Sequence, residues 1–232
     1  RVFLWSVVPG VAAVLVVAWA LRKHGEGGTG KGEGEVPSPA LVPARPRSPP
    51  LLFGLVISFA FARLPETLLL LRLQDLALPV ALAPVVWAGL HVVRAAGSYP
   101  GGWLTDTLGP GRAMAMGWLV YAGVMLGLGA AGTAAAGVVW FLAFGLVAAA
   151  TESAERALVA AVGGLERRGR AFGIYHASVG LAALPGGLLF GAIYSQAGAR
   201  TAFTVSAALA VALSVALVGP ALKGGLGPAQ KS

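Results

Sequence analysis

Apolar residues in this chain fall into long uninterrupted blocks rather than alternating with polar ones. Seven blocks stand out, at residues 2–21, 51–71, 80–104, 113–131, 137–162, 171–195 and 201–222. Each is about 20 residues long, the length an α-helix needs to cross the hydrocarbon layer. Transmembrane β-strands would show alternation over about 10 residues instead. Inside lipid every backbone amide must be paired within the protein, and for continuous apolar runs only the helix achieves this. The pattern therefore predicts an all-α, polytopic membrane protein with seven transmembrane helices. Residues 22–50 are rich in Gly, Pro, Ser and charge and read as a flexible linker. The organisation expected is a first helix over 1–21, this linker, a six-helix bundle over 51–222 and a polar tail over 223–232. A secretory signal is the alternative for the first block. That block is longer than a typical signal core, and cleavage would leave the five Lys and Arg of the linker on the wrong side for the charge rule below.

Composition sharpens the picture. The 232 residues are 57% apolar and 11% charged, whereas soluble domains carry about 25% charged residues. A water-soluble reading fails on these values. The net charge of +8 does not point to nucleic acid, because the basic residues lie mostly between apolar blocks and set topology. Eleven Lys and Arg fall on one side of the seven-span arrangement and three, Arg1, Arg72 and Arg200, on the other. The positive-inside rule assigns the richer side, with the linker and the C-terminus, to the cytoplasm of a multi-pass cell-membrane protein. With no Cys and three His, disulfides and a dedicated metal site are not expected. No phosphate loop, HExxH or GxSxG pattern is present, so neither an enzyme nor a cofactor is expected.

Six ionisable residues nevertheless fall inside the blocks: Arg63, Glu66, Arg94, Glu152, Glu155 and Arg156. Unpaired at mid-membrane they would together cost roughly 15–20 kcal/mol on insertion scales. They must be paired, protonated or turned toward water. Arg63 and Glu66 share a face by their i, i+3 spacing, and Pro65 between them should loosen the helix. They read as part of a discontinuous transport helix or as a local ion pair. Glu152, Glu155 and Arg156 also share one face, leaving one carboxylate without a full partner. Glu152 is the expected proton carrier, with Glu155 paired to Arg156. The alternative is a polar cluster that only holds helices together. Arg94 is expected to face those carboxylates, an anionic substrate or the headgroups. His176, near the cytoplasmic end of its block, is a weaker candidate that would contact Glu155 or Arg156, and His91 reads as an interhelical hydrogen-bonding group.

Two internal echoes accompany these charges. His91 precedes Pro100-Gly101-Gly102 as His176 precedes Pro185-Gly186-Gly187, and Gly102, Asp106, Gly109 are matched by Gly191, Ser195, Gly198 at an offset four residues greater. A duplicated three-helix unit of inverted orientation is expected from this. Pro185 with its two glycines is a hinge candidate. The pairs Gly123/Gly127, Gly169/Gly173 and Gly187/Gly191 have the four-residue spacing of close helix crossings, and the six Trp are assigned mainly to the membrane interfaces.

The stretch Gly102-Trp103-Leu104-Thr105-Asp106-Thr107-Leu108-Gly109-Pro110-Gly111-Arg112 reads as a tight cytoplasmic loop. Gly102-x-Leu104-x-Asp106-x-x-Gly109 resembles the signature loop of the major facilitator superfamily, found between the second and third helices of each six-helix half. Positions 107, 110 and 111 carry Thr, Pro and Gly where that pattern has basic residues; Arg112 is basic. The segments 151–160 and 168–176 are similar to the tenth and eleventh helices of a bacterial branch loosely similar to drug-efflux facilitators. The resemblance implies that residues 2–21 are helix six, that 51–222 are helices seven to twelve, and that five preceding N-terminal helices of the same protein are partners of this chain. It implies a secondary transporter moving a small solute or ion, with Gly102, Asp106, Gly109 and Arg112 as the gating loop. Proton coupling and a pathway through Arg63, Glu66, Arg94, Glu152, Glu155, Arg156 and His176 complete the expectation. A transport-inactive scaffold or a truncated half-transporter is the alternative; substrate and direction are not set by the sequence.

Overall fold

Every apolar block among the described residues is helical. The computed structural model describes residues 49–163 and 168–224; the expected helix over 2–21, the linker up to residue 48, Arg167 and the tail from residue 225 lie outside them. The helices are α1 (Pro49–Ala62), α2 (Glu66–Asp75), α3 (Ala83–Leu108), α4 (Pro110–Ala130), α5 (Ala134–Gly163), α6 (Arg168–Ala197) and α7 (Ala199–Gly224), with one 3-10 turn at Val80–Leu82. No strand occurs among the described residues. Six segments are long and apolar enough to cross a membrane, α1 and α2 forming one broken crossing over Phe53–Asp75.

The break between α1 and α2 falls where Pro65 predicts it. Proline lacks an N–H and disfavours helical geometry in the residue before it. The expectation for residues 101–112 needs correction. They are not an extended loop: α3 continues to Leu108 and α4 begins at Pro110, leaving Gly109 alone as the turn. Gly109 has φ 79° and ψ 154°, a region that only glycine occupies without strain. Gly102 and Asp106 are therefore helical residues. Gly198, with φ 84°, turns the chain in the same way between α6 and α7.

Helix α4 is the core. In its most apolar stretch 61% of residues are buried, against 11% in α3 and in α6. It lies most extensively along α7 and also packs on α5, while α3 packs on α5 and α1 packs on α6 and on α7. Exchanging α1 with α5, α3 with α6 and α4 with α7 maps this set of pairings onto itself. The echoed glycines mark the crossings. A Cβ on Gly101 would lie 3.0 Å from the Ala149 carbonyl oxygen and 3.0 Å from the Ala150 Cα, and one on Gly186 would collide with the Phe61 carbonyl oxygen. Backbones thus touch where α3 meets α5 and where α6 meets α1. The second echo falls on the two turns, and its greater offset has a structural counterpart: α3 has 26 residues and α6 has 30, close to one extra helical turn.

Several packing expectations change. Among the glycines singled out by spacing, Gly123, Gly169, Gly173 and Gly191 face open space, while a Cβ on Gly127 would strike Trp140. Gly97 and Gly101, four residues apart, make the close approach to α5 instead. Trp118 is not interfacial but fully buried, stacked on Phe59 at 4.6 Å between ring centroids. Both α3 and α6 run unbroken through Pro100 and Pro185. At the end of the bundle opposite Gly109, Arg72 donates to the carbonyls of Leu128, Gly129 and Ala131 at 3.4, 3.2 and 2.8 Å. It thereby fastens α2 to the C-terminal end of α4, a favourable place for a cation. Nearby, Tyr194 of α6 donates to Asp75 at 2.5 Å.

Candidate functional site

The site is built around the break. Arg63 is the last residue bonded back into α1, through its N–H to the Phe59 carbonyl at 2.8 Å, and Leu68 begins the α2 ladder on the Pro65 carbonyl at 3.0 Å. The groups between would be orphaned in an apolar interior. Two fully buried hydroxyls meet them. The Leu64 N–H donates to Tyr121 Oη of α4 at 2.9 Å, Tyr121 Oη lies 2.8 Å from Ser206 Oγ of α7, and Ser206 donates to the Ala62 carbonyl at 2.7 Å. Ser206 has one proton and spends it on Ala62, so Tyr121 donates to Ser206. The result is a directed chain from Leu64 on one side of the break to Ala62 on the other. The sequence reading did not single out Tyr121 or Ser206. The only signal was their type: a single Tyr in an apolar block, and one of several hydroxyl residues in the last block.

Fixing the break presents two charges at helix ends. Arg63 follows the C-terminus of α1 and Glu66 opens α2; both positions suit the local helix dipole. Arg94, near the middle of α3, then joins three elements. Its Nη1 lies 3.1 Å from Glu66 Oε1 of α2, and its Nη2 pairs with Glu152 Oε1 of α5. The side chains keep some access to solvent, at 25% for Arg94, 30% for Glu66 and 24% for Glu152. One guanidinium shared by two carboxylates leaves this cluster one net negative charge when all three are ionised.

Glu155, one turn further along α5, has a different neighbour from the one expected. It accepts a hydrogen bond from the Tyr175 hydroxyl of α6 at 2.5 Å. Arg156 is exposed and makes no ion pair with a carboxylate among the described residues. Arg63 lines a shallow cleft with Glu155, Tyr175, Val56, Phe59 and Val179. Phe53 extends this wall, packing edge-on to Tyr175 at 6.3 Å. His176 is exposed and rests on the rings of Phe172 and Tyr175 at 6.2 and 5.0 Å, rather than on Glu155 or Arg156.

The structure thus gathers Glu66, Arg94 and Glu152 in one cluster and Arg63, Glu155 and Tyr175 in another. Glu152 and Glu155 are separated by about 4.5 Å of helix rise. Gly102, Asp106, Gly109 and Arg112 lie apart from both, at the α3–α4 turn, with Asp106 exposed. No group of three or more His, Cys, Asp or Glu able to hold a metal occurs among the described residues. Partnered charges at a helix break are the marks of an ion or solute pathway in a membrane protein.

Neither the curated proteins nor the solved structures contain a match to this chain. The family model of the Major Facilitator Superfamily matches residues 51–228, which takes in every described helix but the first two residues of α1. The chain belongs to the major facilitator superfamily, whose members are membrane transporters, and it is multi-pass.

Proposed function

We propose that the protein is a proton-coupled secondary transporter that moves a small solute by alternating access in the cell membrane, with the linker and C-terminus cytoplasmic. The observation that carries proton coupling is Arg94 shared between Glu66 and Glu152. One proton neutralises the residual charge of that cluster. The partial exposure of the three side chains gives a proton a way in and out. Protonating Glu152 frees one side of the Arg94 guanidinium, loosening the tie between α3 and α5 while leaving that to α2. Protonation and helix packing are coupled in this way, as alternating access requires. Asp106 and its glycines tune the balance between the two orientations at the α3–α4 turn.

The test is counterflow of labelled candidate solutes in proteoliposomes holding the protein purified from its own membrane, with and without a proton gradient. E152Q is expected to insert normally and to lose the gradient's effect. Proton-driven flux equal to that of the unaltered protein refutes the assignment. A transport-inactive scaffold is favoured by one observation, the Thr107, Pro110 and Gly111 that replace basic residues of the signature loop. Absence of counterflow for every candidate favours that reading.

A further inference from the structure

We infer that the cleft between α1, α5 and α6 is a binding site for one water molecule. The water bridges the Arg63 guanidinium to the Glu155 carboxylate, so that the three helices are joined through a solvent-separated ion pair. The inference does not depend on what the protein carries.

Size and charge define the occupant. Arg63, Glu155 and Tyr175 form the polar part of the wall, and apolar side chains of α1 and α6, Ala60 among them, close the rest. The free space is about 10 Å³, room for one water and for no organic solute. Arg63 brings one positive charge and Glu155 one negative charge. The cleft is neutral in sum and favours neither an anion nor a cation.

The polar groups around that space have hydrogen-bonding capacity to spare. Tyr175 donates to Oε2 of Glu155, which leaves Oε1 without a partner among the described residues. Arg63 and Glu155 line the same cleft yet do not touch: no ion pair of 4.0 Å or less joins them. Their unpartnered atoms are not sealed in either. Trp118 Nε1 is the one fully buried side-chain nitrogen or oxygen that lacks a partner among the described residues, so those of Arg63 and Glu155 open on accessible space. Polar groups that face each other beyond about 3.5 Å are the setting for a bridging water. This water accepts from an Arg63 N–H and donates to Glu155 Oε1. The lone pairs of Tyr175 Oη are free for its second hydrogen, which gives the two or three partners that buried waters have. Arg63 is half-buried within a crossing segment, where an uncompensated guanidinium is costly. The bridge supplies that compensation. It also fastens the C-terminal end of α1 to α5 and, through Tyr175, to α6.

The experiment has two arms, both on the whole protein in lipid. Its structure is determined by electron cryo-microscopy at a resolution that shows ordered water. One solvent peak is expected within hydrogen-bonding distance of both Arg63 and Glu155. A direct Arg63–Glu155 contact, an organic molecule in the cleft, or two unbridged charges overturns the proposal. In the second arm R63M, E155Q and their combination are compared in reversible unfolding. Coupling between the two positions is expected to change the unfolding constant about 3- to 10-fold, the range of one net hydrogen bond. A60V then adds two methyl groups to the cleft wall and leaves both charges in place. In that background the coupling is expected to fall below about twofold, the level of independent sites, because the water is displaced. Coupling through the bare field would strengthen instead, since apolar volume lowers the local dielectric. Additivity in the unaltered background, or full coupling in A60V, overturns the proposal. Should A60V fail to fold, the solvent peak decides alone.

Discussion

Replacing Tyr121 by Phe removes one oxygen atom and leaves the ring that packs on Phe59 and Phe144. The hydroxyl accepts from the Leu64 N–H at 2.9 Å and lies 2.8 Å from Ser206, which donates to Ala62 at 2.7 Å. In Y121F the Leu64 N–H, on a residue only 1% exposed, loses its acceptor with no water to replace it. An orphaned buried donor costs about 1–3 kcal/mol. The lost Tyr121–Ser206 bond adds about 0.6 kcal/mol, the average for hydrogen bonds between membrane helices. Ser206 still reaches Ala62, so nothing more is lost, and the expected destabilisation is about 2–3 kcal/mol. S206A is expected to cost at least as much, because it orphans both the Ala62 carbonyl and the Tyr121 hydroxyl, and the double variant less than the sum, because the bonds form one chain. The assay is reversible unfolding in bicelles by a denaturing detergent, run as a double-mutant cycle. The chain contains no cysteine, so nitroxide labels at Gly54 of α1 and Leu71 of α2, both exposed, also read the geometry of the break. Their distance distribution should broaden in Y121F. An effect within ~0.5 kcal/mol of zero, additive with S206A and with unchanged distances, refutes the claim that these hydroxyls hold the break.

Three further outcomes follow from other contacts. R94Q leaves Glu66 and Glu152 without their shared cation; folded protein is expected to fall, by about 3–5 kcal/mol of stability if both stay ionised. Addition of E152Q should restore much of it, read as detergent-resistant yield. G101A and G186A push a methyl group into the backbone of a neighbouring helix and should cost about 1–3 kcal/mol, whereas G102A, with open space around it, should be neutral or slightly stabilising in the same unfolding assay. R72M removes the donor to three carbonyls at the end of α4 and should speed amide exchange at the α4–α5 turn, with about 1–2 kcal/mol lost.

How much of this was legible in the sequence depends on whether the cause was local. The six crossings within 51–222 and the break at Pro65 follow from block length and from proline's missing N–H, so they were readable. The turn at residues 101–112 was misread because Gly102 and Gly109 look alike as letters; only φ and ψ separate the helical glycine from the one that turns the chain. Glycine spacing was a poor guide for a related reason. Gly169 and Gly173 have the spacing of a crossing but no helix against them, and Gly97 and Gly101 have the same spacing with α5 in contact. Pairing of charges was legible within a helix face and not between helices. Arg94 was expected to face the acidic side chains, an anionic substrate or the headgroups, and it lies between Glu66 and Glu152; the adjacency of Glu155 and Arg156 in sequence suggested a bond that the 100° between successive helical residues opposes. The Tyr121–Ser206 chain depends on three helices meeting at one point, which no spacing along the chain encodes.

The corresponding segments of the two three-helix units solve one electrostatic problem in two ways. In the first, the chain breaks, and Arg63 and Glu66 sit at helix ends whose dipoles favour them; the backbone then needs repair, and Tyr121 and Ser206 provide it from α4 and α7. In the second, α5 runs unbroken from Ala134 to Gly163, so Glu152 and Glu155 gain nothing from a helix end. They are matched from outside, by Arg94 of α3 and Tyr175 of α6. The broken segment therefore carries groups set at helix ends by the backbone, and the continuous one carries groups whose partners sit on other helices. Of the four residues, Glu152 and Glu155 are the ones whose pairing a rearrangement of α3 or α6 against α5 must alter. Two close backbone approaches of α3 to α5 flank Arg94, at Gly101 against Ala149 and Ala150 about two turns along α3 and at Gly145 against the Leu90 carbonyl about one turn the other way. On the proposed proton-coupled cycle, the Arg94–Glu152 pair lies between these two contacts on a helix of which little is buried, so protonation there acts on the α3–α5 packing while the hydroxyl-bonded break stays a fixed reference.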